Sequence, residues 1–335
     1  MGPLNRVIAS SVPFMPKSLV GRVGRRYAAG EEVEDAVRVV EGLAREGCLA
    51  TVGILGEHAT DERHTHERLD EYRRALNALE KQGFKDYRVA VKLTDLGLTL
   101  DRELCRKNLE EILLYARERG RFLEVDMEES PFVSATLDLV LDMHERHGNT
   151  GAVVQAYLRR TLDDVQRLLE AAIPVRLVKG VYVERREVAY RDYDVIRENY
   201  VLLLEELLRG GIYVGIATHD EYLTWHALRL IHRMGLTKDQ YEFQMIMGVQ
   251  EELRRILVEA GHRVRVTVLF GKDWYEYSLR RLKENPVASL VLYWAGWQTL
   301  SWLLGVQLLM FVVYLLAKNW VPTDRVSLAQ QVKSS

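Results

Sequence analysis

The first chemical signal in the sequence is positive charge at the ends of apolar runs. Lys92, Arg176 and Lys179 stand at such ends, and Arg280 and Arg281 sit side by side in the helix-like stretch "YEYSLRRLKENP". An unpaired buried cation is prohibitively costly, so this much fixed charge must meet an anion. The obvious acids nearby are Glu57, Asp126, Glu128 and Glu129, too few to absorb it, so the cations point to an anionic ligand. Arginine forks read a carboxylate or phosphate through two parallel hydrogen bonds, which a lysine cannot do. Any one arginine alone would be read as a salt bridge to a neighbouring acid. Asp126 lies two residues beyond Glu124, and period two puts both on the same side of a strand. His219, at the end of "IATHD", fits a base, a cofactor contact or a satisfied core histidine equally well. The "HTH" at 64–66 lies in a highly charged helical stretch and reads as a solvated face, so no metal site is expected.

These residues need elements to hold them. Short runs rich in β-branched and apolar residues recur eight times: "TVGILG", "RVAVKL", "FLEVDM", "AVVQAY", "VRLVKG", "YVGIATH", "YEFQMI" and "RVRVTVLF". Their starts are 22 to 38 residues apart, room for a strand, a loop and a helix each time. Helix signals fill the gaps. "LEEILLYA" places Leu109, Ile112, Leu113 and Ala116 on one face. Ser130 before Pro131 reads as a cap, Gly148 as a stop, and "TLDD" at 161 as a start box. Strands alternating with helices imply parallel pairing, and eight units imply an α/β fold of the (βα)8 TIM-barrel type. A doubly wound sheet usually opens on a glycine-rich turn, and no such motif is present. Strand interiors read as apolar, whereas their C-terminal ends carry Glu57, Lys92, Asp126, Gln155, Arg176, Lys179, Thr218, His219 and Gln244. Active sites of barrel enzymes assemble at that rim.

The bulk of the 335 residues is ordinary for a folded protein, with 28% charged residues and a net charge of −2, which gives no electrostatic footprint for nucleic acid. Two cysteines far apart, Cys48 and Cys105, make no disulfide framework, and a reducing compartment is the default. The ends depart from this average. Residues 1–45 read as an N-terminal helical arm, residues 46–286 as the barrel and residues 287–335 as a hydrophobic helical tail. From Pro286 to Ala317 there is no charged side chain, and tryptophans cluster there, so the tail is a candidate membrane segment. The alternative is a terminal helix packed on its own domain or on a second subunit.

Taken as a set, the strand-end motifs resemble the proline dehydrogenase family, in particular its monofunctional bacterial members. They are "VKLTDLGL" (91–98), "LEVDMEES" (123–130), "VVQAYLRRT" (153–161), "VRLVKGVYVE" (175–184), "IATHDE" (216–221), "FQMIMGV" (243–249) and "GKDWYEYSLRRLKE" (271–284). Order and spacing match as well, from about Gly24 to about Pro286. The resemblance implies a (βα)8 barrel that binds FAD without a Rossmann fold and oxidises L-proline to Δ1-pyrroline-5-carboxylate, electrons passing to a membrane quinone. It implies that Asp126 and Arg176 are catalytic. Lys92, Arg280 and Arg281 would hold the proline carboxylate, with Tyr277 on the ring, Glu284 aiming the arginines, and Tyr182 and Ile246 lining the pocket. Met127, Gln155, Lys179, Gly180, Val181, Thr218 and His219 would contact FAD, and Arg176 and Lys179 would stabilise the negative charge that reduction brings to it. The location expected is the cytoplasmic side of a membrane, at its inner face, with the tail as anchor, a reading that rests on this chain's own tail and not on the resemblance; a homo-oligomer is left open.

Some positions depart from the family pattern. Thr267 replaces a tyrosine, Leu269 and Phe270 are also substitutions, and Gly53 stands where an aspartate is common. Two further readings therefore stay in view. One is a barrel lyase or aldolase using Lys92 or Lys179 as a Schiff-base amine. The other is a non-catalytic, membrane-tethered binding module.

Overall fold

Eight parallel strands close into a barrel in sequence order, β1 to β8, in a computed structural model that describes residues 24–56 and 58–284, without the side chains of residues 280 and 282–284. The strands are β1 (Leu49–Ile54), β2 (Tyr87–Val91), β3 (Phe122–Val125) and β4 (Thr150–Gln155). They continue as β5 (Val175–Val178), β6 (Val214–Ala217), β7 (Tyr241–Ile246) and β8 (Val264–Phe270). Every apolar run read from the sequence is a strand. Closure comes from β8 pairing with β1, in a register from Leu49 opposite Arg265 to Ile54 opposite Phe270.

Helix α1 (Val33–Arg45) precedes β1 and packs on β1 and β8. After successive strands come α2 (Glu62–Lys81), α3 (Arg102–Arg117), α4 (Val133–His147) and α5 (Thr161–Glu170). They are followed by α6 (Tyr193–Arg209), α7 (Glu221–Met234), α8 (Glu251–Glu259) and α9 (Trp274–Glu284). The layer between helices and strands is the main apolar core. Leu109, Ile112, Leu113 and Ala116 of α3 are fully buried in it, as their spacing requires, against outward residues such as Val89, Val91 and Leu123.

Two local expectations fail. Ser130 does not cap α4: it lies in a 3-10 turn (Ser130–Phe132), and its amide and hydroxyl both donate to Glu184, at 2.7 Å each. A partner 54 residues away outcompetes the local cap. Nor does "TLDD" form a start box, because Thr161 donates its hydroxyl to the Gln155 carbonyl and Arg160 takes Asp164. Gly148 does end α4, in the left-handed conformation at φ 76°.

The expected apolar strand interiors are also corrected. Outward faces are apolar, but inside the barrel lie Arg88 from β2, Glu124 from β3, Arg176 from β5, Glu242 from β7 and Arg265 from β8, joined by hydrogen bonds and ion pairs. Bulky branched residues usually fill this space. Here small residues make room for polar ones: a Cβ on Gly215 would stand 2.5 Å from the Gln244 amide nitrogen.

A further correction concerns location. Among the described residues, no helix is long and apolar enough to cross a membrane. The longest, α2, has 20 residues and carries charge along its length. The tail on which anchoring rested, 287–335, lies outside the described residues, as do residues 1–23 of the arm and Glu57. The expected placement on the cytoplasmic side of a membrane, held by that tail, is withdrawn.

Candidate active site

At the C-terminal mouth of the barrel, Arg176 is held by two carboxylates. It points inward from β5, and its two terminal nitrogens donate separately, Nη1 to Glu124 and Nη2 to Asp126, both at 2.9 Å. Period two along β3 put those two carboxylates on one side, and one guanidinium spans them. Burial works against the charge on Arg176, but the Asp126 and Glu124 carboxylates outweigh it and hold the group charged. Glu124 itself is almost fully buried; burial pushes its carboxyl up, yet Arg176 and Arg88 bring it below the usual carboxylate range.

Lys92, one residue past β2, donates its Nζ to the Gly56 carbonyl at 2.8 Å and so ties the loop after β1 to the rim. Lys179 follows the end of β5, where Gly180 takes φ 105°. Its Nζ donates to Asp220 at 3.1 Å and to the Tyr193 hydroxyl at 2.8 Å. Asp220 also receives two hydrogen bonds from Arg197 at 2.9 Å each. Burial opposes the charge on Asp220, but its bonds from Arg197, Tyr193 and Lys179 hold it far below the usual range. The expectation that the rim cations outnumber their protein partners is thus corrected. Arg176 and Lys179 already have carboxylates, of which Glu124 and Asp220 were not counted as partners.

His219 is held through one of its ring nitrogens. Its Nε2 accepts the Ile246 amide at 2.8 Å, so the ring proton sits on Nδ1. Burial, with the nearby charges of Arg281 and Lys179, lowers it to about 4, so it is neutral at physiological pH. With that lone pair taken, its remaining chemistry is donation from Nδ1. Next to it, Thr218 accepts the Asp220 amide at 3.1 Å.

The opposite side of the mouth is built from β3 and β4. Gln155 is buried and donates its amide to the carbonyls of Met127 at 2.9 Å and Glu128 at 3.3 Å. Its Oε1 is buried without a partner among the described residues, as is Nε of Arg176. Gly180 passes so close to Tyr157 that a Cβ would lie 2.1 Å from the ring. Tyr182 is half-buried and Val181 exposed on the loop that follows. Buried donors and acceptors aimed at one mouth, with main chain pressed close behind them, suit a polar aromatic ring system such as a flavin. Glu128 was named in the sequence only as an acid near the rim. It is buried against Thr94, accepting its amide at 3.0 Å and its hydroxyl at 2.5 Å, and burial raises its carboxyl to about 7.

Helix α9 supplies the last wall. Tyr277 is buried, and the Arg281 guanidinium lies 5.4 Å from the centre of its ring, one turn on. The backbone of α9 carries Arg280 and Glu284, whose side chains lie outside the described part. The departures at β1 and β8 prove linked: a Cβ on Gly53 would come within 2.9 Å of Leu269, which fills the space a side chain at 53 would use. The structure therefore gathers Lys92, Asp126, Gln155, Arg176, Lys179, Thr218, His219, Ile246, Tyr277 and Arg281 at one mouth. Missed in the sequence were Asp220, Arg197, Tyr193 and the interior charges Arg88, Glu242 and Arg265. A signal for the interior charges was present, since "RVAV", "YEFQ" and "RVRV" each set a charged residue (Arg88, Glu242, Arg265) between apolar neighbours, at a position of inward parity.

A family model described as proline dehydrogenase matches residues 36–291. Proline dehydrogenase 1 of Bacillus subtilis subsp. natto is 34% identical over 262 residues, covering 78% of this chain and 86% of that protein. Proline dehydrogenase of Deinococcus radiodurans is 35% identical over 280 residues, 82% of this chain and 90% of that one. A stretch of 47 residues is 53% identical to part of an aspartate-proton symporter of Bacillus subtilis, but it covers only 9% of that protein and carries no argument about activity. Among solved structures, proline utilization A from Bdellovibrio bacteriovorus, inactivated by N-propargylglycine, is similar in fold, with a TM-score of 0.74 at 24% identity. The likeness covers 79% of this chain and 32% of that longer one. With a family model spanning most of the chain and relatives a third identical over most of both lengths, this chain belongs to the proline dehydrogenase family.

Proposed function

We propose that this chain oxidises L-proline to Δ1-pyrroline-5-carboxylate with FAD as its cofactor, and that the electrons go on to a quinone. The observation that carries the reading is Arg176 bridged to Asp126 at the barrel mouth, between Lys92 and Lys179, in a chain of this family. When bound, FAD supplies the acceptor for the hydride that leaves the proline ring carbon next to nitrogen. The chain's own residues orient and enclose.

Asp126 and Arg176 are assigned the catalytic positions, one fixed against the other. Lys92 and Arg281, with Arg280, meet the substrate carboxylate, Tyr277 covers the ring, and Tyr182 and Ile246 complete the pocket. Glu284 is assigned to aim the two arginines from the next turn of α9. Gln155 and the Met127 main chain, the Lys179-Gly180-Val181 turn, Thr218 and the Nδ1–H of His219 hold the flavin. The catalytic unit is taken as 46–286. Nothing favours a lyase: the Nζ of Lys179 is engaged by Asp220 and Tyr193, and that of Lys92 by a main-chain carbonyl.

Purified protein should show a flavin spectrum that bleaches when L-proline is added without air. A bound flavin that stays oxidised under saturating proline would reduce the chain to a binding module.

A further inference from the structure

We propose that Glu124 is a positioning residue for Arg176, and that it does so as the central rung of a charge ladder inside the barrel. The ladder runs Arg265, Glu242, Arg88, Glu124, Arg176, Asp126, alternating in sign from the closed end to the mouth. Its contacts are 2.7 Å from Arg265 to Glu242, 3.1 Å from Arg88 to Glu242 and 3.4 Å from Arg88 to Glu124. The last two rungs are the 2.9 Å bonds from Arg176 to Glu124 and to Asp126. Three arginines and three carboxylates balance.

Buried ion pairs rarely add net stability, and losing one partner leaves a stranded charge. Such a set is therefore expected where it does something other than stabilise. Two features show what. First, Glu124 and Asp126 take different nitrogens of Arg176, which fixes the plane of the guanidinium and not only its charge. Second, Glu124 is itself held from behind, by Arg88 and by the Gln244 amide at 3.2 Å. That amide also donates to Glu242 at 2.8 Å, locking both carboxylates together. The mouth thus meets an arginine whose direction and net field are set by residues it does not touch.

This inference rests on the flavin reading above. The test measures the reduction potential of the bound flavin by titration with a chemical reductant, so it is independent of turnover on proline. Glu124→Gln removes one negative charge and should raise the ratio of reduced to oxidised flavin about tenfold at a fixed potential, about 30 mV for a two-electron couple. Arg88→Gln removes one positive charge and should shift the ratio the opposite way. The double variant, which restores balance, should return to within about threefold of the parent.

A merely structural role would lower melting temperature in both single variants without opposite shifts in potential. Shifts of the same sign, or none, in folded flavin-bearing single variants would overturn the ladder. If Glu124→Gln does not fold, Arg88→Gln carries the test alone: a lowered potential supports the ladder, and an unchanged or raised one overturns it. A parent that binds no flavin ends the cofactor reading and this inference together. A parent whose flavin titrates but ignores proline ends only the substrate reading.

Discussion

Glu128 is buried below the rim among Thr94, Lys92 and Asp95, and folding favours its protonated form, with a value near 7 against an ordinary 4.5. A carboxyl raised in this way contributes stability that is complete below about pH 4.5 and lost as pH climbs through 7. At 1.36 kcal/mol per unit the loss is at most about 3 kcal/mol. Glu128→Gln keeps partners for both Thr94 groups and has no proton to lose. Its melting temperature relative to the parent should therefore rise between pH 5 and pH 7.5; a constant difference would refute the assignment. Single residues were only partly legible in the sequence. Parity showed that Glu124 and Asp126 share a side of β3, but not that Arg176, about fifty residues on, would span them. Pairing between distant strands is set by closure and register, which no local window contains.

At the scale of elements, the sequence was most informative, because each strand and most helices announce themselves through local periodicity and turn chemistry. The two failed helix starts, at Ser130 and Thr161, were lost to competing partners of the same side chains, Glu184 far along the chain for one and the nearby Gln155 carbonyl for the other. The seam between β1 and β8 shows a subtler coupling. Gly53 and Leu269 share one volume inside the barrel, so neither departure from the family pattern stands alone. Gly53→Val should overpack that volume and destabilise the fold by about 1–3 kcal/mol. Adding Leu269→Ala should recover most of the loss. Denaturant unfolding of the two single variants and the double measures the coupling directly; strictly additive losses would count against shared space.

At the scale of the whole molecule, the segment just before α1 reaches the end of β8 and α9, the helix to which the substrate carboxylate is assigned. Ala29 donates its amide to Leu269, Gly271 donates to Gly30, and the Trp274 indole donates to Glu31 at 2.6 Å. Gly24 lies against α9, where a Cβ would stand 2.6 Å from the Ser278 hydroxyl. This strap sets the pitch of the helix that carries Arg280 and Arg281. A misplacement of about 1 Å in such groups can cost about a hundredfold in rate. Gly24→Val should therefore raise the KM for L-proline at least several-fold while flavin content stays at the parent level. Loss of flavin instead would place the strap's role in the barrel and not in α9. Nothing in the local sequence around Gly24 announces this contact, since its partner lies some 250 residues downstream.

The polar interior also bears on how the chain comes together during synthesis. Ribosomes deliver β8 last, and with it Arg265 and the edge that joins β1. A nascent barrel of seven strands has an open seam and holds Glu242 without its closest arginine, so water must stay inside to solvate it. An apolar interior would let such an incomplete barrel collapse and persist. A charged one disfavours that collapse, because Glu242 gains its closest cation only when the final strand arrives. The same charges that pair Arg176 at the mouth would thus also favour a barrel that closes only with its last strand in place.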